Sequence, residues 1–256
     1  DDSDRVVTTG RWQHLFSRNL NGGLAVSQSN IEYRRTEEEL TRRTANGFFS
    51  WQRGNGTWNG ELGYSWLESE QGPLANDSEG ITGELGYSHD WGQGSSAFGQ
   101  FRRSITDVSS EVDLRIPGLD LNLTETSAVV VTAFTFGAGQ QWTGRTRTDL
   151  SVSATRSDYE ASGTTEDRLS SEFTLSHKLT QNLSGRGSVG YAQEEFGQSG
   201  DDQRDTVRGR LGLDYRRTRD LTLNASIGHE TQTADSQGAR EYDENWLQVG
   251  VRYNLR

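Results

Sequence analysis

The end of the chain carries the pattern that most restricts its fold. Leu247, Val249, Val251, Tyr253 and Leu255 alternate with Gln248, Gly250, Arg252 and Asn254, and a period of two puts the two sets on opposite faces of an extended strand. A helix would mix them within one turn. The same alternation recurs upstream. Leu221, Leu223, Ala225 and Ile227 oppose Thr222, Asn224 and Ser226, and Leu211, Leu213 and Tyr215 oppose Arg210, Gly212 and Asp214. Leu169, Phe173 and Leu175 oppose Ser170, Glu172 and Thr174, while Ile81, Leu85 and Tyr87 oppose Glu84, Gly86 and Ser88.

Reading this period along the whole chain predicts thirteen strands: 6–17, 24–35, 43–53, 58–69, 81–91, 96–108, 124–137, 142–157, 168–180, 183–194, 204–217, 221–233 and 245–255. At Val129, Val130 and Val131 the alternation breaks, through either a bulge or burial on both faces. The connections alternate in length. Short ones fall at 19–23, 54–57, 92–95, 138–141, 181–182 and 218–220, and long ones at 36–42, 69–80, 109–123, 158–167, 195–203 and 234–244. Carboxylates gather in the long set, among them Glu37 to Glu39, Asp77, Glu79, Glu111, Asp113, Asp201 and Asp202.

Only 30% of the residues are hydrophobic and the mean hydropathy is -0.82, yet 9% are aromatic and seven are Trp. A disordered chain would be poor in aromatics. A transmembrane β-barrel reconciles the two, because only its outer face must be apolar while the inner face is wet. No apolar run reaches the length of a spanning helix. The expected fold is therefore all-β: an antiparallel up-and-down transmembrane β-barrel of about 13–14 strands, forming one domain over residues 1–256. Core aromatics of a soluble β-sandwich are the alternative. Thirteen strands run the first and last in the same direction, so either a strand precedes Asp1 or one predicted strand is miscounted. The chain has no Met and begins Asp1-Asp2-Ser3-Asp4, which suggests a processed form. Cys is absent, excluding disulfides and Cys-ligated zinc. The net charge of -11 excludes a typical nucleic-acid binder.

Short repeats fit duplicated hairpins. Gly60-Glu61-Leu62-Gly63-Tyr64-Ser65 recurs as Gly83-Glu84-Leu85-Gly86-Tyr87-Ser88, and the turn around Thr180-Gln181-Asn182-Leu183 is similar to Thr218-Arg219-Asp220-Leu221.

The segment from Trp246 to Arg256 resembles the C-terminal strand of bacterial outer-membrane barrels, which the assembly machinery reads. It departs from the commonest form by finishing Leu255-Arg256 instead of on Phe or Trp. The hairpin pattern is also similar to outer-membrane barrels associated with exosortase and exopolysaccharide systems. The resemblance implies residence in the bacterial outer membrane, contact with lipid and lipopolysaccharide, and envelope secretion or exopolysaccharide machinery as a partner.

Candidate lumen residues on the polar faces are Arg145, Arg147, Asp149, Glu172, Arg186, Arg208, Arg210, Asp214, Arg216 and Arg252. They either set a selective field or pair with one another to fill a wet interior. Trp12, Trp51, Trp58, Trp91, Trp142 and Trp246 lie near strand ends, where an aromatic girdle would meet the membrane interfaces. For catalysis the only candidates are dyads such as His229 with Ser226 or His89 with Asp90. Asn76 to Glu79 could attract Ca²⁺, although no twelve-residue Ca²⁺ loop is present. No cofactor or metal is expected. The leading function is a porin-like or export channel with an Arg-rich lumen; the alternative is a non-conducting scaffold barrel holding a partner of an envelope secretion or electron-transfer assembly.

Overall fold

The computed structural model describes residues 3–33, 38–69, 77–107, 128–160, 162–197, 202–218, 220–235 and 241–253. Within them the chain forms thirteen strands and no helix: β1 (Ser3–Ser17), β2 (Leu20–Tyr33), β3 (Glu38–Arg53), β4 (Gly56–Ser69), β5 (Ser78–Gly92), β6 (Ser95–Asp107), β7 (Ala128–Gln141), β8 (Thr146–Tyr159), β9 (Thr164–Lys178), β10 (Leu183–Gly197), β11 (Asp202–Arg216), β12 (Leu221–Ala234) and β13 (Tyr242–Tyr253). The strand order is sequential from β1 to β13, and every register defined is antiparallel. Each strand has 12–16 residues, more than the 9–11 or so that a tilted strand needs to cross a bilayer. By contacts the strands sort into two compact units. One comprises Asp1–His89, Gly99–Phe134 and Thr155–Glu166, the other Asp90–Phe98, Thr135–Ala154 and Asp167–Arg256.

In the second unit, cross-strand partners carry the sequence period across the sheet. Leu211 pairs Ile227 and Ile227 pairs Leu247, while Leu213, Ala225 and Val249 make the next row. These residues are open to the surroundings: Leu211 is 62% exposed, Ile227 53%, Leu247 71% and Val249 72%. Exposing a continuous row of this kind to water would cost several kcal/mol. A hydrocarbon surround removes that cost.

The first unit repeats the arrangement. Leu24, Gly47, Leu62 and Gly83 form one cross-strand row, and Val26, Ala45, Tyr64 and Ile81 the next. Its buried apolar residues lie elsewhere. Ile31 with Leu40, and Leu67 with Ile105, Ala128 and Val130, form two small clusters at the strand ends next to the long connections. Leu67 sits on the face opposite Leu62, two residues from Ser65, which is 1% exposed. All of Val129, Val130 and Val131 are buried, so the break in alternation there reflects burial on both faces.

The expected strands match in number and order, with one displaced turn and three connections shorter than expected: strands extend into 36–42, 158–167 and 195–203, leaving gaps at 34–37, 160–163 and 198–201 no longer than those at 142–145, 179–182 and 217–220. The connection expected at 138–141 lies at 142–145 instead. Residues 138–141 lie inside β7, where Gly137 and Gly139 leave room for neighbouring side chains: an added Cβ would lie 2.2 Å from the Phe98 ring at Gly137 and 2.5 Å from the Arg147 guanidinium at Gly139. The true turn uses Thr143, whose Oγ1 accepts from the backbone N–H of Arg145 and Thr146 at 3.2 and 3.1 Å. Thr180 does the same for Asn182 and Leu183, and Thr218 for Asp220 and Leu221. One threonine device thus closes three short turns of the second unit. The acidic stretch 108–127 and Asn76 lie outside the described residues, as do Glu37 and Asp201.

Two substitutions separate the faces. Ile227→Arg, at the middle of the apolar face of β12, is expected to lower unfolding stability in lipid vesicles by about 2–4 kcal/mol. Gln248→Arg, one residue beyond the Ile227 partner and on the opposite face, is expected to cost less than about 1 kcal/mol in the same urea titration.

Candidate functional site

Since adjacent strands share a face wherever residues pair, the polar face of β10–β13 can be followed row by row from the short turns to the long connections. Arg216, Thr222 and Arg252 form the first row; Ser184, Asp214, Asn224 and Gly250 the second. Next come Arg186, Gly212, Ser226 and Gln248, then Ser188, Arg210, Gly228 and Trp246, then Gly190, Arg208, Glu230 and Glu244. Six of the ten candidate lumen residues therefore share one face, where the sequence period placed them: Arg186, Arg208, Arg210, Asp214, Arg216 and Arg252.

The face changes character along its length. Nearer the long connections Arg208 and Arg168 meet carboxylates. Glu230 accepts from both Arg208 and Tyr242. Arg168 meets Glu194 at 3.0 Å, with side chains only 15% and 21% exposed. Nearer the short turns the cations stand apart: Arg186, Arg210, Arg216 and Arg252 are exposed and have no carboxylate within 4.0 Å among the described residues.

Arg147 and Asp149 sit two apart on β8 and bind each other, with Nε to both carboxylate oxygens at 2.9 and 3.0 Å. Glu172 is an exposed residue of β9 with the parity of Arg168. Arg145 is the exception, because the displaced turn takes it out of the strand: its carbonyl accepts from Lys178 N–H at 2.8 Å, within the rim.

Glycines leave room for the large side chains on the polar face. An added Cβ at Gly228 would lie 2.3 Å from Trp246, whose ring covers that backbone. The Arg210 guanidinium stands 5.1 Å from the same ring centre and donates to Ser226 Oγ at 3.3 Å. The first unit builds the same three-strand motif with Arg11 over Phe48 at 4.0 Å, where Phe48 pairs Gly23 of the intervening strand. Trp246 thus lies on the polar face beside Arg210, not on the apolar face expected of a girdle residue.

Trp12, Trp51 and Trp58 do lie on the apolar face of the first unit, the last two paired with each other and Trp58 stacked against Tyr87 at 4.4 Å. Trp91 and Trp142 close the short-turn ends of β5 and β7, and Trp142 donates to Thr148 Oγ1 at 2.8 Å. The seventh tryptophan, Trp66, is not among the girdle candidates that nearness to strand ends suggests. It shares the face of Trp58 on β4, packs on Tyr64 at 4.9 Å and pairs Arg43, which binds Glu68 at 2.8 Å. The signal was parity within β4: eight residues separate the two tryptophans, about 26 Å along a strand and about 20 Å along the normal of a tilted one.

All four histidines face the apolar side. His14 lies between Trp12 and Phe16, His89 bonds Tyr87, His177 bonds Thr146, and His229 bonds Asn245 at 3.1 Å. Ser226 and His229 have opposite parity on β12, as do His89 and Asp90 on β5, so neither proposed dyad is assembled. Among the described residues no group of three His, Cys, Asp or Glu is placed to hold a metal ion.

A family model described as "Putative beta-barrel porin 2" matches residues 124–255. The chain belongs to this porin family. No curated protein matches it. Among solved structures it is similar to OmpT, an outer-membrane protein of Vibrio cholerae, with a TM-score of 0.50 and 11% identity over 98% of this chain and 95% of that one. It is also similar to a bacterial polysaccharide outer membrane secretin (TM-score 0.51, 11% identity, 99% and 79% covered) and to the copper transporter OprC (0.53, 12%, 98% and 56%). At these identities the likeness establishes the fold: an antiparallel up-and-down β-barrel of the bacterial outer membrane, its apolar face against lipid.

In this porin-family barrel the glycines of the two faces are expected to be unequal, Gly228 lying on the polar face and Gly209 on the apolar one. Gly228→Ala should displace Trp246 and lower stability by about 1–2 kcal/mol. Gly209→Ala, where an added Cβ meets nothing within 4 Å, should change stability by less than about 0.5 kcal/mol. Urea unfolding of the two variants in vesicles measures the difference.

Proposed function

We propose that this chain is a porin-like or export channel of the outer membrane, one barrel domain over residues 1–256, in which solute passes along the polar, Arg-rich strand faces. The observation that carries the reading is the set of exposed cations without carboxylate partners on β10, β11 and β13. A strand face that only filled space would pair its charges, because unpaired ones in a confined interior lose hydration without return. Gly212, where an added Cβ would meet nothing closer than 3.6 Å, leaves room beside Arg186 and Arg210. The arrangement binds and orients by charge and hydrogen bonding; with both proposed histidine dyads split across the sheet, the reading assigns no catalytic residue.

A second reading has its own support. At the long-connection ends of the first unit, Leu67 and Ile105 pack with Ala128 and Val130, and Ser65 and Ser157 are at most 2% exposed. Packing of that kind fits a barrel closed near its outer rim, acting as a scaffold for a partner in an envelope secretion or electron-transfer assembly. The exopolysaccharide resemblance makes polysaccharide secretion machinery the partner to examine first.

Planar bilayers decide between the two. The channel reading expects discrete conductance steps from the purified, heat-modifiable barrel at neutral pH. A silent barrel that remains folded, as its gel shift shows, contradicts it and leaves the scaffold.

A further inference from the structure

The cations near the short turns are arranged more specifically than a general polar lining requires. Arg186 on β10 pairs Gly212 on β11, and Arg210 is two residues before that glycine. The two arginines are therefore diagonal neighbours on one face, with β-carbons about 7–8 Å apart. Between and beside them stand only small or neutral groups: Gly212, Ser188, Gly228 and Ser226. Trp246 forms one wall, and its contact with Arg210 limits where that guanidinium can swing. Among the described residues of β10–β13, Asp214 is the carboxylate one row towards the short turn, and it forms no ion pair with either arginine. Taken with Arg216 and Arg252 in the terminal row, four guanidinium groups face one carboxylate on this half of the face. The other half is balanced by Glu230, Glu244 and Glu194.

We infer that Arg186 and Arg210 form an oxyanion-binding shelf, walled by Trp246 and floored by Gly212, which takes phosphate, sulfate or carboxylate groups of a solute entering from the short-turn side. A guanidinium presents a planar fork of N–H donors that matches two oxygens of such a group. Two forks on diagonal positions about 7–8 Å apart can reach one anion from both sides, since each side chain extends several ångströms from its backbone. In outer-membrane barrels the short turns lie on the periplasmic side, so the shelf would meet anions leaving the periplasm.

The inference rests on the channel reading for its transport consequence, though not for binding, and the experiment keeps them apart. Current is recorded in planar bilayers under about a tenfold KCl gradient, with inorganic pyrophosphate or trigalacturonate added on the short-turn side. The native barrel is expected to favour chloride over potassium by about threefold or more. Pyrophosphate should block the current saturably, and Arg186→Ala with Arg210→Ala should raise the half-blocking concentration by about tenfold or more. Replacement of both by Lys should keep the chloride preference but weaken the block, because charge survives without the fork. A block by trigalacturonate as well as pyrophosphate identifies a sugar-borne carboxylate as an acceptable source; a block by pyrophosphate alone points to phosphate. Potassium preference, or a block unchanged in the folded Ala double variant, overturns the shelf while leaving the channel standing. If the barrel does not conduct, titration calorimetry with pyrophosphate in detergent takes over: binding that is lost in the double variant supports the shelf without the channel, and no binding by the native barrel overturns it.

Discussion

Everything in this structure follows from the need to satisfy backbone hydrogen bonds where no water is available. Inside hydrocarbon an unpaired N–H or C=O costs several kcal/mol, so a spanning chain must be helical or must pair every strand with neighbours. Here no described helix is long and apolar enough to cross, and sequential antiparallel pairing supplies the partners instead. Once strands are paired in register, a period of two in the sequence becomes two chemically distinct surfaces. The apolar surface is the row system around Leu62 and Ile227, and the polar surface is the one that carries Arg186 and Arg210.

The two surfaces solve their packing differently. On the lipid side large residues alternate with glycine across strands, as at Leu24, Gly47, Leu62 and Gly83, and Phe16, Leu24, Phe49, Leu62, Ile81 and Leu85 line a shallow apolar hollow of about 770 Å³. On the polar side glycine makes space for a neighbouring strand's Arg or aromatic ring. Gly228 under Trp246 and Gly139 beside Arg147 are the clearest cases. The abundance of glycine, which in a soluble sheet would weaken the strands, serves close approach on both faces.

Much of this was legible in the residues. Alternation located all thirteen strands, while the expected contrast in connection length holds at 70–77, 108–127 and 235–241 and fails at 34–37, 160–163 and 198–201, where the strands run further than their alternation showed. Face assignment within β10–β13 placed Arg186, Arg208, Arg210, Asp214, Arg216 and Arg252 together without any structural knowledge. What failed were features that depend on a neighbouring strand. Residues 138–141 read as a turn because the sequence does not show that Arg147 needs the space left by Gly139, and that error carried Arg145 into a strand it does not occupy. Trp246 read as a girdle residue from its place near an end, whereas its parity with Gln248 and Arg252 already put it on the polar face. Trp66 was overlooked for the converse reason, since its parity with Trp58 mattered more than its nearness to a strand end.

The central claim is that alternate residues of one strand meet lipid and water, and the absence of native cysteine makes it directly measurable. Single cysteines placed in turn from Trp246 to Arg252 and spin-labelled in vesicles can be tested for collision with oxygen, which concentrates in lipid, and with a water-soluble nickel chelate. The account predicts oxygen accessibility peaking at positions 247, 249 and 251 and nickel accessibility peaking at 248, 250 and 252, a period of two with opposite phase. Accessibility to both reagents that rises and falls together, or that shows no period of two, would contradict it.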